Sequence, residues 1–352
     1  MTTHFFLGAN SGDGVQSLFP QLTQEKLFDL MILKGGPGLG KSAFLRQIGT
    51  ALETAGTTVE YIGCSGDPDA LDGVILPELR CAIADGDAPH ALEPRYPAAV
   101  ERCVDLSRFY DLTAAKRERE AIVRCAGEYR AAYARACHSL KAARQVELDA
   151  VAEARQSMDW RRSERRTAGI VAREFRRKGG EPGETALRFL GGLTRRGYRW
   201  RFDSVETLCP RVYELADSHE LGGAMLQKLR GAAAAGGWNT IACVSPEEPA
   251  RIEHLLVPSL GVAFVTSRPD MEYDGKPYRR IRLDAMAQPD PRARLRFEAR
   301  LVRLLRREAQ QALQEAGEAR DRWAGIYRPY VDSDGVRALA AVETARLLSW
   351  LP

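Results

Sequence analysis

The sequence predicts an α/β protein built from two tandem copies of one domain. Each copy is expected to hold a mainly parallel sheet with flanking helices and a helical-hairpin insertion. Three observations predict this architecture: a glycine-rich loop between an apolar run and a helix-like run, an internal repeat, and two long stretches poor in glycine and proline. Parallel strands are expected because strands alternate with helices, and such crossovers are nearly always right-handed.

The glycine-rich loop reads GGPGLGKS from Gly35 to Ser42, a complete G-x-x-x-x-G-K-S phosphate-loop pattern. The apolar run LFDLMIL precedes it, and a helix-like run starts at Ala43. Glycines let successive backbone N–H groups point at phosphate oxygens, and the N-terminus of the following helix adds positive partial charge. The predicted nucleotide-binding residues are Gly35, Gly36, Pro37, Gly38, Leu39, Gly40, Lys41, Ser42 and Ala43.

Two side chains of this loop are expected to take part in chemistry. In the motif, the lysine reaches the β- and γ-phosphates and the serine hydroxyl coordinates Mg²⁺. Lys41 is therefore predicted to be catalytic, and Ser42 to be a metal ligand. Neither half contains an N-K-x-D or T-K-x-D guanine-reading motif, which favours ATP over GTP. An ordinary glycine-rich turn is the alternative, and the two flanking segments argue against it.

The chain also repeats itself. Residues 43–85 align with residues 224–266 at a constant offset of 181, without a gap. Glycines and prolines align between the two copies, as Pro77 does with Pro258. Two unrelated segments with the same order of strands and helices would not be expected to share these positions. We interpret the repeat as an internal duplication. The two predicted domains cover residues 1–185 and 186–352.

The second copy lacks the chemistry of the first. Opposite the phosphate loop it reads ADSHELGG, from Ala216 to Gly223. At the same offset, Lys41 faces Gly222, so the second copy offers no lysine for phosphates and no hydroxyl for a metal. We predict one working nucleotide site in the first half and a degenerate phosphate loop in the second.

A carboxylate at the end of a core strand usually helps to hold Mg²⁺ in phosphate-loop enzymes. The run CAIA ends in Asp85, whose counterpart is Thr266, so this acid is missing from the same copy. Asp85 is therefore predicted to be catalytic and to support the metal together with Ser42. The alternative is a turn acid at the end of a strand, because Asp-Gly is a common turn pair.

The residue that accepts a proton is harder to identify from the sequence. Asp87 faces Arg268 in the second copy and is the favoured candidate for a base or a supporting residue of the site. Asp67 and Asp72 face acidic counterparts, so they are predicted to be structural, with helix capping as one role for Asp67 or Asp69.

Each half carries a helix-rich insertion, at about 98–178 and at about 290–330. The first contains the most basic stretch of the chain, Arg161–Lys178. This stretch is a candidate lid or arginine finger over the nucleotide, or a contact for a nucleic-acid or protein partner. The remaining alternative is a solvated helix face.

Composition excludes several classes of protein. No apolar stretch approaches the length of a membrane span, and the N-terminal residues do not read as a secretion signal. The seven cysteines are scattered without a C-x-x-C pair, which predicts reduced thiols and a cytoplasmic location without a membrane partner. The net charge of +4 is too small to imply a nucleic-acid partner by itself.

The segments HFFLGANSGDGVQSLF, ILKGGPGLGKSAFLRQIG and VEYIGCSGDPDALDGVILPELRCAIADGDAPH resemble an uncharacterised bacterial family of duplicated P-loop ATPases. The likeness is close over the first ninety residues and looser beyond them. It implies two tandem P-loop NTPase-like domains and ATP binding. It would also imply a phosphate loop in each half, and ADSHELGG departs from this. The residues at Walker positions are Gly35, Gly40, Lys41, Ser42 and Asp85.

Three functions follow as hypotheses. The first is a Mg²⁺-dependent ATPase that couples hydrolysis at the first phosphate loop to a conformational change. The second is a phosphotransferase that passes the γ-phosphate of ATP to a small molecule. The third is a nucleotide-gated protein with negligible turnover that contacts nucleic acid or protein.

Overall fold

The computed structural model describes residues 1–23, 27–176, 179–287 and 292–351. Contacts divide the chain into two compact units. Unit 1 consists of Met1–His138, Gly192–Arg199 and Glu308–Pro352, and unit 2 consists of Ser139–Gly191 and Trp200–Arg307. The domain boundary after residue 185 stays a prediction.

The strands of the first half are short and mostly buried. They are β1 (Thr2–Phe6), β2 (Gly8–Ser11), β3 (Gly14–Ser17), β4 (Asp29–Lys34), β5 (Val59–Gly63), β6 (Leu71–Leu76), β7 (Cys81–Asp85) and β8 (Glu101–Asp105). Six of them form a sheet in the order β1-β5-β6-β7-β4-β8, and β2 and β3 form a separate hairpin. The strand β8 lies within the segment predicted to be a helical insertion.

The first sheet is mixed. The prediction of a mainly parallel sheet is corrected for one strand, β6, which is antiparallel to its neighbours. Its parallel pairs are β1 with β5, β7 with β4, and β4 with β8. Among the strands described, β6 alone runs against its neighbours β5 and β7. The connections on either side of β6 are too short for the crossover that parallel pairing needs, so β6 returns as a hairpin strand.

The second half contains eight strands among its described residues. They are β9 (Thr185–Arg188), β10 (Gly191–Thr194), β11 (Gly197–Trp200), β12 (Arg211–Ala216), β13 (Thr240–Val244), β14 (Ile252–Val257), β15 (Val262–Ser267) and β16 (Arg279–Arg282). The sheet order is β9-β13-β14-β15-β12-β16, with β14 antiparallel to both neighbours. This order and these directions match those of the first sheet strand for strand, which agrees with an internal duplication.

Helices flank both sheets, so the α/β class is confirmed. They are α1 (Lys41–Thr54), α2 (Leu112–Ala115), α3 (Arg119–Gln156), α4 (Trp160–Glu174), α5 (Phe202–Leu208), α6 (Gly223–Ala235), α7 (Arg292–Tyr327) and α8 (Ser333–Leu348). Short 3-10 turns occupy Phe19–Thr23, Ser107–Phe109, Lys116–Glu118, Pro258–Leu260, Asp284–Met286 and Arg328–Tyr330. None of the helices in the described ranges combines the length and the apolar character that a membrane span requires.

Unit 1 has its core between the first sheet and two helices. Between its polar ends, strand β4 consists of four consecutive buried apolar residues, as expected for a strand covered on both faces. Helix α1 buries Phe44, Leu45, Ile48 and Leu52, whose three- and four-residue spacing places them on one face. Helix α8 packs against α1 in the same core. This core fixes the position of the loop between β4 and α1.

Unit 2 is built in the same way around its own sheet. Its core includes Tyr213 and Leu215 from β12, Phe264 from β15, and Leu226 and Leu229 from α6. Helix α6 packs on β14, and α4 packs on α6. The second copy therefore keeps an apolar framework like that of the first.

Candidate phosphate-binding site

The loop from Gly35 to Gly40 joins β4 to α1 and depends on glycine. Gly35 has φ 144° and Gly38 has φ 88°, conformations that other residues rarely adopt. A Cβ atom at Gly38 would also lie 2.9 Å from the carbonyl oxygen of Ala324 on α7. Tyr110 holds the loop from another side by donating a hydrogen bond of 2.6 Å to the carbonyl oxygen of Pro37. The loop is therefore tightly held.

The side chain of Lys41, the first residue of α1, turns back over this loop. Its Nζ atom donates hydrogen bonds to the carbonyl oxygen of Gly35 at 2.8 Å and to Oδ1 of Asp85 at 2.9 Å. It also forms an ion pair with Asp87. The structure thus brings together the three residues that the sequence predicted to be catalytic.

Asp85 lies at the end of β7, the strand next to β4, and is in register with Leu33. Burial raises the pKa of the Asp85 carboxyl, and the nearby Lys41 ammonium opposes this shift. The carboxylate also accepts a hydrogen bond of 3.0 Å from the N–H of Asp87. Asp85 therefore stabilises the turn after β7 as well as contacting the loop lysine.

The carboxylate of Asp87 lies where the loop offers its donors. Its Oδ2 and Oδ1 atoms accept hydrogen bonds from the N–H of Gly35 at 3.1 and 3.2 Å. Together with the Lys41 contact, Asp87 thus binds two groups that the motif assigns to phosphate. This internal carboxylate would have to leave for an anion to take its place.

Ser42 occupies the first turn of α1, and its hydroxyl oxygen accepts a hydrogen bond of 2.9 Å from the N–H of Leu71. Among the described residues, no three acidic, histidine or cysteine side chains form a ready metal cluster. Magnesium in nucleotide sites takes few protein ligands and completes its shell with phosphates and water. A hydroxyl and a nearby carboxylate are donors of the right kind for this.

A narrow cleft opens beside Asp85. The space that a water-sized sphere can reach there is about 50 Å³. Its walls include the buried pair Asp72 and His90, whose Oδ2 and Nε2 atoms are 3.1 Å apart. Further walls come from Asn10, Val15, Cys64, Ser65, Gly66, Ala88, Pro89, Tyr129, Tyr133, Leu313, Ala316 and Arg320.

Asn10, in the wall of this cleft, forms hydrogen bonds with three other segments of unit 1. Its side-chain amide donates hydrogen bonds of 2.9 Å to the carbonyl oxygens of Ser65 and Leu193. Its oxygen accepts a hydrogen bond of 3.0 Å from the hydroxyl of Tyr133 on α3. Leu193 belongs to the hairpin β10–β11, so residues from the second sequence repeat help to build unit 1.

The acidic loop before β6 does not cap a helix, because it leads into a strand. Asp67 and Asp69 instead hold the hairpin β10–β11: Arg195 pairs with Asp67, and Arg196 pairs with Asp69 at 2.5 Å. Arg195 also pairs with Asp321 on α7 at 2.6 Å. The capping prediction was wrong because residues 64–70 connect two antiparallel strands and no helix follows them.

Arg320 on α7 was not predicted from the sequence, although it lines the same cleft as Asp85. It lies in the second helix-rich insertion, far along the chain from the loop. A local motif could not have found it, because only the packing of α7 brings it to the cleft.

The corresponding loop of the second copy is one residue shorter. In the two sheets, Leu33 pairs with Asp85 and Leu215 pairs with Thr266. Ala216 is therefore the last residue of β12, equivalent to Lys34, whereas the ungapped sequence alignment placed it opposite Gly35. The position of Asp85 is taken by Thr266, whose hydroxyl donates a hydrogen bond to the carbonyl oxygen of Glu253 at 2.6 Å.

The buried carboxylate of Asp217 fills this shorter loop. Its Oδ1 atom accepts hydrogen bonds from the N–H groups of Leu221 at 2.8 Å and His219 at 3.3 Å. Its Oδ2 atom accepts one from the N–H of Gly222 at 2.7 Å. These backbone donors are thus already satisfied within the protein.

The basic segment Arg161–Lys178 forms most of α4, which belongs to unit 2. Arg161, Arg162, Arg165 and Arg166 are exposed, while Ile170 is buried. Arg177 and Lys178 lie outside the described residues. Among the residues described, none of this segment lines the cleft beside Asp85. Its roles as a lid or as a partner contact stay predictions.

Comparison of the chain with models of known protein families, with curated proteins and with solved structures gives no match.

Proposed function

We propose that unit 1 binds Mg·ATP at the loop Gly35–Ala43 and hydrolyses it. One observation carries this proposal: Lys41 contacts Asp85, at the end of the strand adjacent and parallel to β4. Ligands of open α/β sheets bind beyond the carboxyl ends of the strands, where these groups meet.

The groups present fit a triphosphate and its metal. The glycine loop and the start of α1 supply backbone N–H groups, and Lys41 supplies a positive charge. Ser42 and Asp85 would hold the magnesium ion, which neutralises charge on the phosphates when it is bound. Because Lys41 and the N–H of Gly35 now contact Asp87, a phosphate oxygen would replace that carboxylate.

Water is the proposed acceptor of the phosphoryl group. The space of about 50 Å³ beside Asp85 is enough for a few water molecules. The Asp87 carboxylate, once displaced from Lys41, is the candidate to accept the proton of the attacking water.

Hydrolysis can be coupled to movement through α7. Gly38 of the loop lies against the backbone of Ala324, and a Cβ atom there would be 3.2 Å from Cβ of Tyr327. A conformational change of the loop on loss of the terminal phosphate would therefore displace groups that contact α7.

The test compares Lys41→Ala with Lys116→Ala, an exposed lysine of the same unit. We expect Lys41→Ala to abolish ATP binding in calorimetry and phosphate release from ATP, because it removes the charge that stabilises the phosphoryl group. The Lys116→Ala protein should match the wild type. Unchanged turnover in Lys41→Ala would refute the proposal.

Two further outcomes separate the other functions. Phosphate transfer that starts only when a small-molecule acceptor is added would identify a phosphotransferase. Tight ATP binding without turnover would identify a nucleotide-gated binding protein.

A further inference from the structure

Arg320 differs from other arginines of unit 1 in its surroundings. Arg195 pairs with Asp321, Arg102 with Glu343, and Arg346 with Asp29, at 2.6 to 2.8 Å. Within the described ranges, Arg320 forms no ion pair at 4.0 Å or less. It is half-buried and lines the cleft, whose walls also include Leu313, Ala316 and Asp85.

This placement leaves a positive charge without a close counter-ion. An arginine keeps its charge at any physiological pH, and a buried charge is costly unless it is paired. Arg320 interacts with the Tyr129 side chain and, electrostatically, with Asp72 and Asp85, but Asp72 lies 3.1 Å from His90 and Asp85 is already bound to Lys41. The cleft therefore suits an additional anion close to Arg320.

We propose that Arg320 contacts the terminal phosphate of the bound nucleotide and makes the site select triphosphate over diphosphate. This inference rests on the proposed function. Lys41 hydrogen-bonds Asp85, and Arg320 lines the same cleft as Asp85, one helical turn before Ala324, whose carbonyl oxygen borders Gly38 of the loop. The planar guanidinium can donate two parallel hydrogen bonds to a phosphate group, which a lysine cannot do.

The experiment measures affinities for ADP and for a non-hydrolysable ATP analogue by calorimetry. The variants are Arg320→Gln and Arg320→Lys, and the control is Arg322→Gln, an exposed position on the same helix that pairs with Glu128. We expect Arg320→Gln to lower the affinity for the ATP analogue by about tenfold or more, because a hydrogen bond between charged groups is lost. The ADP affinity should stay within about twofold, since ADP lacks the phosphate in question.

The Arg320→Lys protein should show a smaller loss of the same kind, and the Arg322→Gln protein should show none. An unchanged ratio of analogue to ADP affinity in Arg320→Gln would overturn the inference, whether or not both affinities fall. If Arg320→Gln fails to fold, the ratio in Arg320→Lys decides in the same way. The Lys41→Ala protein tests the proposed function separately, because it should lose both ligands.

Discussion

The Oδ2 atom of Asp217 accepts a hydrogen bond of 2.7 Å from the N–H of Gly222, at the start of the helix that follows the second copy of the loop. A carboxylate thus contacts the backbone donors in both copies of the loop: Asp217 in the second and Asp87 in the first. In the second copy the carboxylate belongs to the loop itself, and no lysine follows it at the start of the helix.

The double change Gly222→Lys and Gly223→Ser should not create a second nucleotide site. The new lysine would face a loop that is one residue too short and already contains the Asp217 carboxylate. Calorimetry should find one ATP per chain in both the wild type and this variant. A stoichiometry of two in the wild type would contradict the assignment of the second copy as degenerate.

The change Asp87→Asn should strengthen nucleotide binding. The carboxylate competes with phosphate for Lys41 and for the N–H of Gly35, and an amide competes less well for a cation. We expect the affinity for a non-hydrolysable ATP analogue to rise by roughly threefold to tenfold. Turnover should fall if Asp87 also accepts the proton of water.

The matched control for this variant is Asp69→Asn, an exposed acid of the same unit that pairs with Arg196. Its affinity for the analogue should equal that of the wild type. Weaker binding by Asp87→Asn would show that Asp87 holds the loop in its binding conformation and does not block it.

The stability of unit 2 should depend on the buried His254. Burial lowers the pKa of this side chain from 6.5 to about 4, and its Nδ1 atom accepts a hydrogen bond of 3.1 Å from the N–H of Thr266. Because the pKa is lower in the folded state, the stabilising contribution is present above pH 6.5 and is lost as the pH falls towards 4. Urea unfolding should show a loss on the order of 3 kcal/mol over this range.

The His254→Gln variant should flatten this pH dependence, since glutamine does not titrate. The control is His219→Gln, at a half-exposed histidine in the same unit. An unchanged slope in His254→Gln would mean that other groups cause the loss of stability in acid.

The sequence predicted the parts of the site that lie close together along the chain. Lys41 and Asp85 could be found because each follows an apolar strand, and the ends of parallel strands meet at one edge of a sheet. The adjacency of β7 and β4 and the direction of β6 depend on pairing between distant segments, and were not predicted.

Long-range packing explains what the sequence did not reveal. Arg320 and the hairpin residue Arg195 reach unit 1 from the second repeat, and no periodicity marks them. The loop between β12 and α6 is one residue shorter than the loop between β4 and α1. The sequence alignment did not show this, because it matches well from the start of the helices onwards without a gap. Only the register of β12 with β15 shows where the residue was lost.

The contact between α1 and α8 bears on the order of synthesis. Helix α1 begins at Lys41, but the helix that packs against it starts at Ser333, so a ribosome must pass residue 333 before this core can close. A chain that terminated before that point would leave α1 uncovered and the loop that precedes α1 without this support.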